Sequence, residues 1–205
     1  MKGWFEHTGG AITILRDDID TDQLLPKQFM KLIDKKNFGN YLFYHWRYID
    51  SNPEKLNVNF VLNRIQKENP SILVTGKNFG CGSSREHAVW ALSDYGFKVI
   101  IGQSFGDIFA INAAKNGIAL ISLEESLISE IMNWSTIDKD VRMRINLIEK
   151  KIFYKNLSIV FDMEESQRER ILNGKDDIDE TMEEAHRIDV FIQSYLNENS
   201  YLVIK

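Results

Sequence analysis

The scarcest side chains in this 205-residue sequence are those that form disulfides and metal sites. Cys81 is the single cysteine, so an intrachain disulfide is excluded. An iron–sulfur cluster needs about three or four thiolates and cannot be held by this chain alone. The four histidines are scattered, without the i, i+4 spacing of a helical zinc site; they are His7, His45, His87 and His186. The sequence therefore predicts no metal site of its own, and any metal chemistry has to come from another molecule.

Long apolar runs and an excess of positive charge are also absent. No stretch approaches the roughly 18 consecutive apolar residues of a membrane span, and the N-terminal residues lack the apolar core of a secretory signal. Twenty-five Lys and Arg residues against 30 Asp and Glu residues give a net charge of −5, which argues against binding nucleic acid through phosphate neutralisation. With 43% hydrophobic residues and three prolines, we expect one globular domain in the cytoplasm.

The central part of the sequence alternates strand and helix signals. Short apolar runs typical of strands occur at 71–75, 97–101 and 118–123. Between them, apolar residues at i, i+3, i+4 and i+7 from Ala88 predict a helix that ends at Gly96. Ser104 followed by Asp107 predicts the cap of a second helix, which runs through about Asn116 and is closed by Gly117. Residues 10–15 form a further predicted strand. This order of elements predicts a parallel sheet of the α/β class.

The sequence after residue 140 predicts a hairpin followed by helices. Residues 141–161 alternate weakly between apolar and polar side chains around a turn at 149–151. Asp162 and Glu165 have the spacing of a capping box, and Gly174 suits the end of the helix that they would begin. A longer helix with one apolar face follows; the members of that face are Ile178, Met182, Ala185, Ile192 and Tyr195. We interpret the charged remainder as a solvated face.

One glycine-spaced loop carries the most chemical information. The sequence GKNFGCGSSREHAVWAL, at 76–92, places Gly76, Gly80 and Gly82 between a predicted strand and a predicted helix. Glycine is needed where the backbone approaches a ligand closely or adopts positive φ. The spacing is not the G-x-G-x-x-G of dinucleotide sites, and the Gly-Lys-Ser/Thr end of a phosphate-binding loop is missing. Both of these nucleotide motifs are therefore excluded.

The start of the following helix combines two serines and an arginine. Ser83 and Glu86 have the S-x-x-E spacing of a capping box, so helix capping alone accounts for that pair. Ser83, Ser84 and Arg85 together place two hydroxyls and a guanidinium at a helix N-terminus, where the helix dipole attracts a carboxylate. Arg85 can hold a carboxylate in a bidentate fork. Such a site can also lower the pKa of a serine hydroxyl enough for its alkoxide to act as a base.

Cys81 and His87 offer an alternative chemistry in the same loop. A thiol near a helix N-terminus can be a nucleophile, with a nearby histidine as its base. This reading predicts a cysteine-dependent hydrolase that is active without a partner. The structural alternative is a small residue packed in a glycine-rich turn and a histidine that only packs.

A second polar stretch lies at 17–31, on both sides of Pro26. Its alternating aspartates begin like a calcium loop, but the sixth and twelfth positions hold neither the required glycine nor the required glutamate; the aspartates are Asp18, Asp20 and Asp22. An EF-hand is therefore rejected, and aspartates in such a place are typical of turns. Lys27 and Lys31 add positive charge that can attract a dicarboxylate.

Four segments, taken in order, resemble the small subunits of 3-isopropylmalate dehydratase, a leucine-biosynthesis family of the aconitase superfamily. They read IDTDQLLPKQFMK, GKNFGCGSSREHAVWAL, SFGDIFAINAAKNG and ILNGKDDIDET, and the resemblance runs from about residue 5 to residue 197. It implies an α/β fold, a single swivelling β/β/α domain at 1–205 like the mobile C-terminal domain of aconitase. Its core would span about 5–161 and its C-terminal helical tail about 162–205.

The resemblance also implies a partner, a cofactor and a reaction. The partner is a large subunit that carries a [4Fe-4S] cluster, whose iron acts as a Lewis acid on the departing hydroxyl; this chain binds no cofactor itself. The paired enzyme interconverts 2-isopropylmalate and 3-isopropylmalate by dehydration to 2-isopropylmaleate and rehydration. The substrate is thus a small hydroxy-dicarboxylic acid.

Five residues of this sequence match the family's site positions. Ser83 corresponds to the catalytic base that removes and returns the carbon-bound proton, and Ser84 and Arg85 correspond to residues that bind the substrate carboxylate. Asp22 matches an active-site aspartate of the superfamily, and the resemblance implies that Asp22 and Lys31 bind substrate. Lys31 lies in a segment that resembles the family's specificity loop, where some relatives have arginine. Because lysine presents a point charge, we expect no bidentate clamp there.

Two other functions and one dynamic property stand beside this reading. In the first alternative the chain serves a related acid such as homoaconitate, citraconate or dimethylmaleate, with 26–33 as the discriminating loop. In the second it is a carboxylate-binding module without activity. We also predict that residues 27–40 are mobile in the isolated chain, because a loop that completes a site in another subunit lacks half its contacts.

Overall fold

The protein folds around one mixed β-sheet. The structure, a computed structural model, describes residues 2–31, 37–64, 70–137, 141–175 and 177–199. The strands in these ranges are β1 (Glu6–Ile14), β2 (Ile72–Thr75), β3 (Val99–Gly102), β4 (Ala119–Ser122), β5 (Arg142–Asn146), β6 (Lys151–Tyr154) and β7 (Leu157–Val160). Their order across the sheet is β4-β3-β2-β1-β5-β6-β7. The first strand is therefore the central one.

Helices flank the sheet. Those in the described ranges are α1 (Thr21–Leu24), α2 (Tyr44–Arg47), α3 (Glu86–Tyr95), α4 (Asp107–Lys115), α5 (Glu125–Ile137), α6 (Glu165–Asn173), α7 (Asp177–Glu183) and α8 (Ala185–Glu198). Short 3-10 turns occur at Lys27–Lys31, Phe38–Tyr41, Ile49–Ser51 and Val61–Asn63. None of the helices that the structure describes is both long and apolar enough to cross a membrane.

The parallel half of the sheet confirms the alternating pattern predicted for the central part of the sequence. β1 pairs with β2, β2 with β3 and β3 with β4, all in parallel. Every residue of β2 and β3 is buried, which explains why these strands read as continuous apolar runs rather than alternating ones. The predicted helices correspond to α3 and α4, and α3 ends at Gly96 with a φ of 115°.

The other edge of β1 continues into an antiparallel half. β5 pairs with β1, β6 with β5 and β7 with β6. The predicted hairpin joins β5 to β6, where Asn146 Oδ1 accepts the amides of Ile148 and Glu149 at 2.9 Å each. Sequence analysis missed the second hairpin, between β6 and β7. Its turn at 155–156 is Lys-Asn and lacks the glycine of the strongest hairpin signals.

Both faces of the curled sheet carry an apolar core. One core lies under α3 and the aromatic turns and includes Phe38, Leu92 and Ile100; the other lies under α5 and α6 and includes Ile131, Ile145 and Ile171. A bridge between Ser122, at the end of β4, and Asp162, after β7, brings the two edges of the sheet together. The sheet is thus close to a barrel. β1 and β2 lie in the middle of its strand order.

The weakly patterned region at 37–64 is held by aromatic packing. Phe38, Leu42 and Phe43 are fully buried. The ring of Phe43 stacks on Trp46 with centroids 5.2 Å apart, and the Arg16 guanidinium lies 4.7 Å from the centroid of the Trp46 ring. These rings enter the core from short turns without a regular period, which is why periodicity gave no prediction here.

The first C-terminal helix forms where it was predicted, but the single longer helix predicted after it is wrong, because that segment is divided into α7 and α8. α6 ends at Gly174, which has a φ of 67° as expected of a helix end. The predicted capping box is wrong, since no side chain caps α6. Asp162 Oδ1 instead accepts the Met163 amide at 2.9 Å and Lys150 Nζ at 3.2 Å. The apolar residues of α8 stay at the surface, and none of its residues is buried.

Gly80 and Gly96 provide a matched test of the loop packing. Both have positive φ, but a Cβ at Gly80 would lie 2.2 to 2.6 Å from ring carbons of Phe109, whereas nothing lies within 4 Å of one at Gly96. Both alanine variants incur backbone strain, since φ is 75° at Gly80 and 115° at Gly96, but only Gly80→Ala must also displace the buried ring of Phe109. We therefore expect its free energy of unfolding to be lower by about 1–3 kcal/mol. Urea denaturation of the two variants measures this difference. Equal stabilities would contradict the crowding at Gly80.

Candidate active site

The candidate site lies where the chain leaves the carboxyl ends of β1 and β2. The segments that follow these neighbouring strands, 16–26 and 76–82, continue their pairing. Three backbone hydrogen bonds of 2.7 to 3.0 Å join them: Gly80 N–H to Ile19 O, Thr21 N–H to Cys81 O and Asp18 N–H to Lys77 O. Ligand sites of open α/β sheets form at this edge. The two polar stretches found separately in the sequence thus form one surface.

Two aspartates of the first segment hold the second one in place. Asp17 Oδ1 accepts the Lys77 amide at 2.9 Å, and Asp18 Oδ1 accepts Asn78 Nδ2 at 2.7 Å. Asp20 Oδ1 accepts the Gln23 amide within its own segment at 2.7 Å and begins α1. Of the three aspartates predicted as turn residues, Asp18 and Asp20 thus have structural partners, whereas Asp22 pairs with Arg85.

A capping box occurs at α1, where none was predicted. Gln23 Oε1 accepts the Asp20 amide at 3.0 Å, which completes a reciprocal box at the start of α1. The D-x-x-Q signal was present in the sequence and was missed. At α3 the predicted Ser83–Glu86 box does not form, and no side chain caps this helix. Ser83 therefore has no capping role.

Glu86 holds the start of α3 through other contacts. Its Oε1 accepts Trp90 Nε1 at 3.0 Å, one turn along the same helix. The same oxygen accepts Asn116 Nδ2 at 2.9 Å from the end of α4. The first turn of α3 is thus fixed against the end of the next helix, and the residues just before it have a rigid base.

Ser83 and Ser84 present their hydroxyls at this helix start. Both residues are exposed, and neither hydroxyl bonds to another residue in the ranges that the structure describes. The backbone of Ser83 is nevertheless fixed, because Thr21 Oγ1 donates to Ser83 O and accepts from the Ser83 amide, both at 3.2 Å. Thr21, 2% exposed, is a site residue that sequence analysis missed, since one threonine among aspartates gives no signal of its own.

Arg85 and Asp22 form an ion pair beside the two serines. Arg85 Nη1 and Nη2 donate to Asp22 Oδ1 and Oδ2, the second at 3.1 Å. The Arg85 side chain is 11% exposed and that of Asp22 is 44% exposed. Hydrogen bonds from Arg85, and then its charge, hold the pKa of Asp22 below its usual value. The structure therefore brings together Asp22, Ser83, Ser84 and Arg85.

Lys31 is less closely connected to the other predicted site residues. It is exposed at the end of the 3-10 turn Lys27–Lys31, and its side chain makes no hydrogen bond or ion pair with another described residue. The same turn does reach the site through Lys27, whose Nζ lies 3.9 Å from Asp22 Oδ2. Phe29 anchors the turn by stacking on Tyr41, with ring centroids 4.1 Å apart.

The mobility predicted for 27–40 stays a prediction for most of that segment. Residues 32–36 lie outside the described residues. At its far end, Phe38 is fully buried and the Gly39 amide donates to Asp94 Oδ2 at 2.9 Å. This end belongs to the core, so the predicted mobility does not extend to it.

Cys81 and His87 do not form a nucleophilic pair. Burial, followed by the charges of Asp20 and Asp18, raises the pKa of the Cys81 thiol, whereas a reactive thiolate requires a lowered one. His87 contacts aromatic rings instead, with its centroid 4.5 Å from that of Trp90. The geometry supports the packing roles that were the alternative reading.

The described ranges contain no group of three or more His, Cys, Asp or Glu side chains that could hold a metal ion. With one cysteine in the sequence, the donors of this chain do not fit an iron–sulfur cluster. We assign no step to a metal held by this chain.

Comparison with known proteins defines the class. The model of the aconitase C-terminal domain family matches residues 1–126, so the sheet and its loops form an aconitase C-terminal-type domain of the α/β class, as predicted. A 3-isopropylmalate dehydratase small subunit from Buchnera aphidicola subsp. Diuraphis noxia is 46% identical over 191 residues, which are 93% of this chain and 92% of the relative. One from Leuconostoc mesenteroides subsp. mesenteroides is 44% identical, covering 93% and 96%. The chain belongs to the family of 3-isopropylmalate dehydratase small subunits.

A solved structure supports the same fold. The 3-isopropylmalate dehydratase of Methanocaldococcus jannaschii aligns with a TM-score of 0.62 at 25% identity, over 93% of this chain and 98% of that protein. The coverage extends beyond the 126 residues of the family match. The likeness thus includes most of the antiparallel half of the sheet.

Removing the charge of Asp22 tests the Arg85 pair. A lowered folded-state pKa means that the pair stabilises the protein above the ordinary aspartate pKa of 3.8 and loses this effect as pH falls through the folded value. We expect Asp22→Asn to lower the free energy of unfolding at pH 7 by about 1 kcal/mol, between the values for exposed and buried pairs. The difference should vanish once the carboxylate is protonated in both states.

Urea denaturation from pH 7 down through the carboxylate range measures this dependence. Lys27→Met is the control, because Lys27 is 73% exposed and 3.9 Å from Asp22, so its loss should change stability little. A pH-independent effect of Asp22→Asn would rule out the ion pair as its cause.

Proposed function

We propose that this chain is the small subunit of a 3-isopropylmalate dehydratase and supplies the proton-transfer and carboxylate-binding groups of a site shared with a large subunit. The observation that carries the proposal is the arrangement at the start of α3. Two exposed hydroxyls, Ser83 and Ser84, stand beside an arginine at a helix start that no side chain caps. Such a start favours an anionic ligand.

Arg85 is the proposed carboxylate-binding group, and Asp22 orients it. A guanidinium has five N–H donors, and Asp22 accepts from both terminal nitrogens. No described residue accepts from Nε. The Nε side of Arg85 is therefore left for a substrate carboxylate, together with the Ser84 hydroxyl. In this assignment Asp22 acts through Arg85 and is a positioning residue rather than a substrate ligand.

Ser83 is the proposed catalytic base. Its alkoxide takes the carbon-bound proton of the hydroxy acid, and the electron pair of that C–H bond forms the double bond. The hydroxyl leaves from the adjacent carbon as hydroxide, which becomes water by taking a proton from solvent. Rehydration reverses these steps, and the proton returns from Ser83 Oγ to carbon. The uncapped start of α3 favours the negative charge on this oxygen. Thr21 keeps the serine backbone in place through its bonds to the Ser83 amide and carbonyl.

Lys31 and its turn are the proposed selective part of the site. Lys31 is exposed at the end of the 3-10 turn that Phe29 anchors and that Lys27 links to Asp22. A lysine there offers a second positive charge for a dicarboxylate, and as a point charge it tolerates some variation in the acid. The side chain and its neighbours would then sort isopropylmalate from related hydroxy acids.

The partner is proposed to complete the site from the opposite side. The exposure of Ser83 and Ser84 leaves the reacting groups open to water, whereas such chemistry is favoured in a site that excludes water. We place the [4Fe-4S] cluster on the large subunit, where it would supply a Lewis acid for the hydroxyl. We further propose that the complex works in the cytoplasm on a small dicarboxylic hydroxy acid, without nucleic acid or membrane.

Ser83→Ala is the variant that tests the proposed base. Mixed anaerobically with a cluster-loaded large subunit from the same organism, the wild-type chain should convert 3-isopropylmalate to the unsaturated intermediate, while either subunit alone should not. Ser83→Ala should associate equally well and lose about 10²- to 10⁴-fold in kcat, the usual contribution of a general base. The absorbance of the intermediate measures both rates.

Cys81→Ser is the matched control within the same loop and should retain turnover. Full turnover by Ser83→Ala would reject the base assignment. Turnover by this chain alone that Cys81→Ser abolishes would favour the cysteine hydrolase. A wild-type mixture that associates but acts on no hydroxy acid would favour a carboxylate-binding module.

A further inference from the structure

The last two helices, α7 and α8, expose seven large apolar side chains. Exposed apolar residues of α7 and α8 are Ile178, Met182, Ile188, Val190, Phe191, Ile192 and Tyr195, with Phe191 67% exposed. No residue of α8 is buried. Single apolar residues on a surface are ordinary, whereas a contiguous group marks an interaction site.

Four of the five large exposed apolar residues of α8 form one stripe, with Val190 outside it. Ile188, Ile192 and Tyr195 stand at i, i+4 and i+7, and Phe191 lies beside them one turn after Ile188, so all four project from one side of the helix. The ring of Phe191 stacks against Tyr195 with centroids 5.9 Å apart. A helix of 14 residues is about 21 Å long, and this stripe covers its middle two turns. This is the pattern of a helix that docks in an apolar groove.

The charge of residues 177–199 indicates what kind of groove on a partner would bind the stripe. Residues 177–199 contain seven acidic residues and one arginine, a net charge of −6, whereas the whole chain carries −5. The rest of the molecule is thus close to neutral. Five of the seven acidic residues lie at 177–184, so the negative charge is concentrated in α7 and at the residue that joins it to α8. A second copy of this chain would bring an equally acidic segment against it, which like-charge repulsion disfavours. A partner with basic residues around an apolar groove fits both features.

We propose that α7 and α8 form a docking element for the large subunit, with the α8 stripe seated in an apolar groove whose rim is basic. This inference rests on the proposed function, because that function supplies the partner. The element lies outside the loops that hold Ser83 and Arg85. It therefore contributes to affinity between the subunits and leaves the chemistry unchanged once the complex has formed.

The first test removes the apolar stripe without changing charge. The variant is Ile188→Gln combined with Phe191→Gln, both at exposed positions, so the fold should persist. We expect the Kd for the cluster-loaded large subunit, and its half-saturating concentration in the activity assay, to rise at least tenfold. The kcat at saturating large subunit should equal that of the wild type. Val160→Gln is the control, since Val160 is also 67% exposed but lies on β7.

The second test neutralises the acidic rim. The wild-type Kd should rise with ionic strength, because steering between opposite charges is screened by salt. Asp189→Asn combined with Glu198→Gln should weaken binding at low salt and make the salt dependence shallower. An unchanged salt dependence would exclude a basic rim.

The outcomes separate this inference from the proposed function. If the wild-type pair turns over 3-isopropylmalate and the Ile188/Phe191 variant binds as tightly as the wild type, the docking element is wrong and the function stands. If the pair associates through the stripe but acts on no hydroxy acid, the function fails and the docking element stands. Sedimentation of the isolated chain adds a third outcome, since self-association that the variant abolishes would assign the stripe to a second copy and overturn the inference.

Discussion

The continued pairing of the chain beyond the carboxyl ends of β1 and β2 is the constraint on which the site depends. Two parallel strands would normally separate into unrelated loops at that edge. Here the amides of Gly80 and Thr21 donate to the carbonyls of Ile19 and Cys81. The side chains of Asp17 and Asp18 add hydrogen bonds between the same two loops. Because both loops are fixed to each other, Asp22 from the first and Arg85 from the second meet as an ion pair. The residues with chemistry are held by backbone hydrogen bonds that do not depend on any ligand.

The two helix starts at this edge differ in their capping. The capped start belongs to a supporting helix, and the uncapped start lies beside the proposed functional residues. α1 begins with a complete capping box from Asp20 and Gln23, so its first turn is satisfied within the chain. α3 has no side-chain cap, and its neighbouring hydroxyls are exposed. A helix start that forgoes a cap gives up stability, and such local departures from good design concentrate at functional sites. Glu86 offsets the loss by bonding to Trp90 and Asn116, which orients the helix without covering its end.

Much of the fold could be predicted because its signals are local. Short apolar runs with glycine-ended helices between them gave the parallel strands and α3 and α4. The aromatic turns at 37–64 could not be predicted, since Phe38 and Phe43 are buried by tertiary contacts that have no sequence period. The Ser83–Glu86 and Asp162–Glu165 boxes were predicted from spacing alone and do not form, because Glu86 and Asp162 have better partners elsewhere in the fold.

The candidate site was also predictable only in part. Ser83, Ser84, Arg85 and Asp22 were found from motif and resemblance, and the structure places them together. Their mutual roles were not predictable, because the Asp22–Arg85 pair joins residues 63 positions apart. Thr21 was invisible for the same reason, since its hydroxyl matters only once Ser83 lies beside it. The exposed stripe on α8 was visible as a periodic pattern, but whether it faced the core or solvent required the fold.

The central claim is that the loop pairing places Ser83 for proton transfer, and Thr21→Val tests it most directly. Valine keeps the shape of the threonine and removes the hydroxyl that bonds to both backbone groups of Ser83. The measurement is the single-turnover rate of intermediate formation from 3-isopropylmalate in the anaerobic complex. The account predicts unchanged association with the large subunit and a rate at least about tenfold lower, as expected when a reacting group is misplaced. A rate equal to that of the wild type would contradict it.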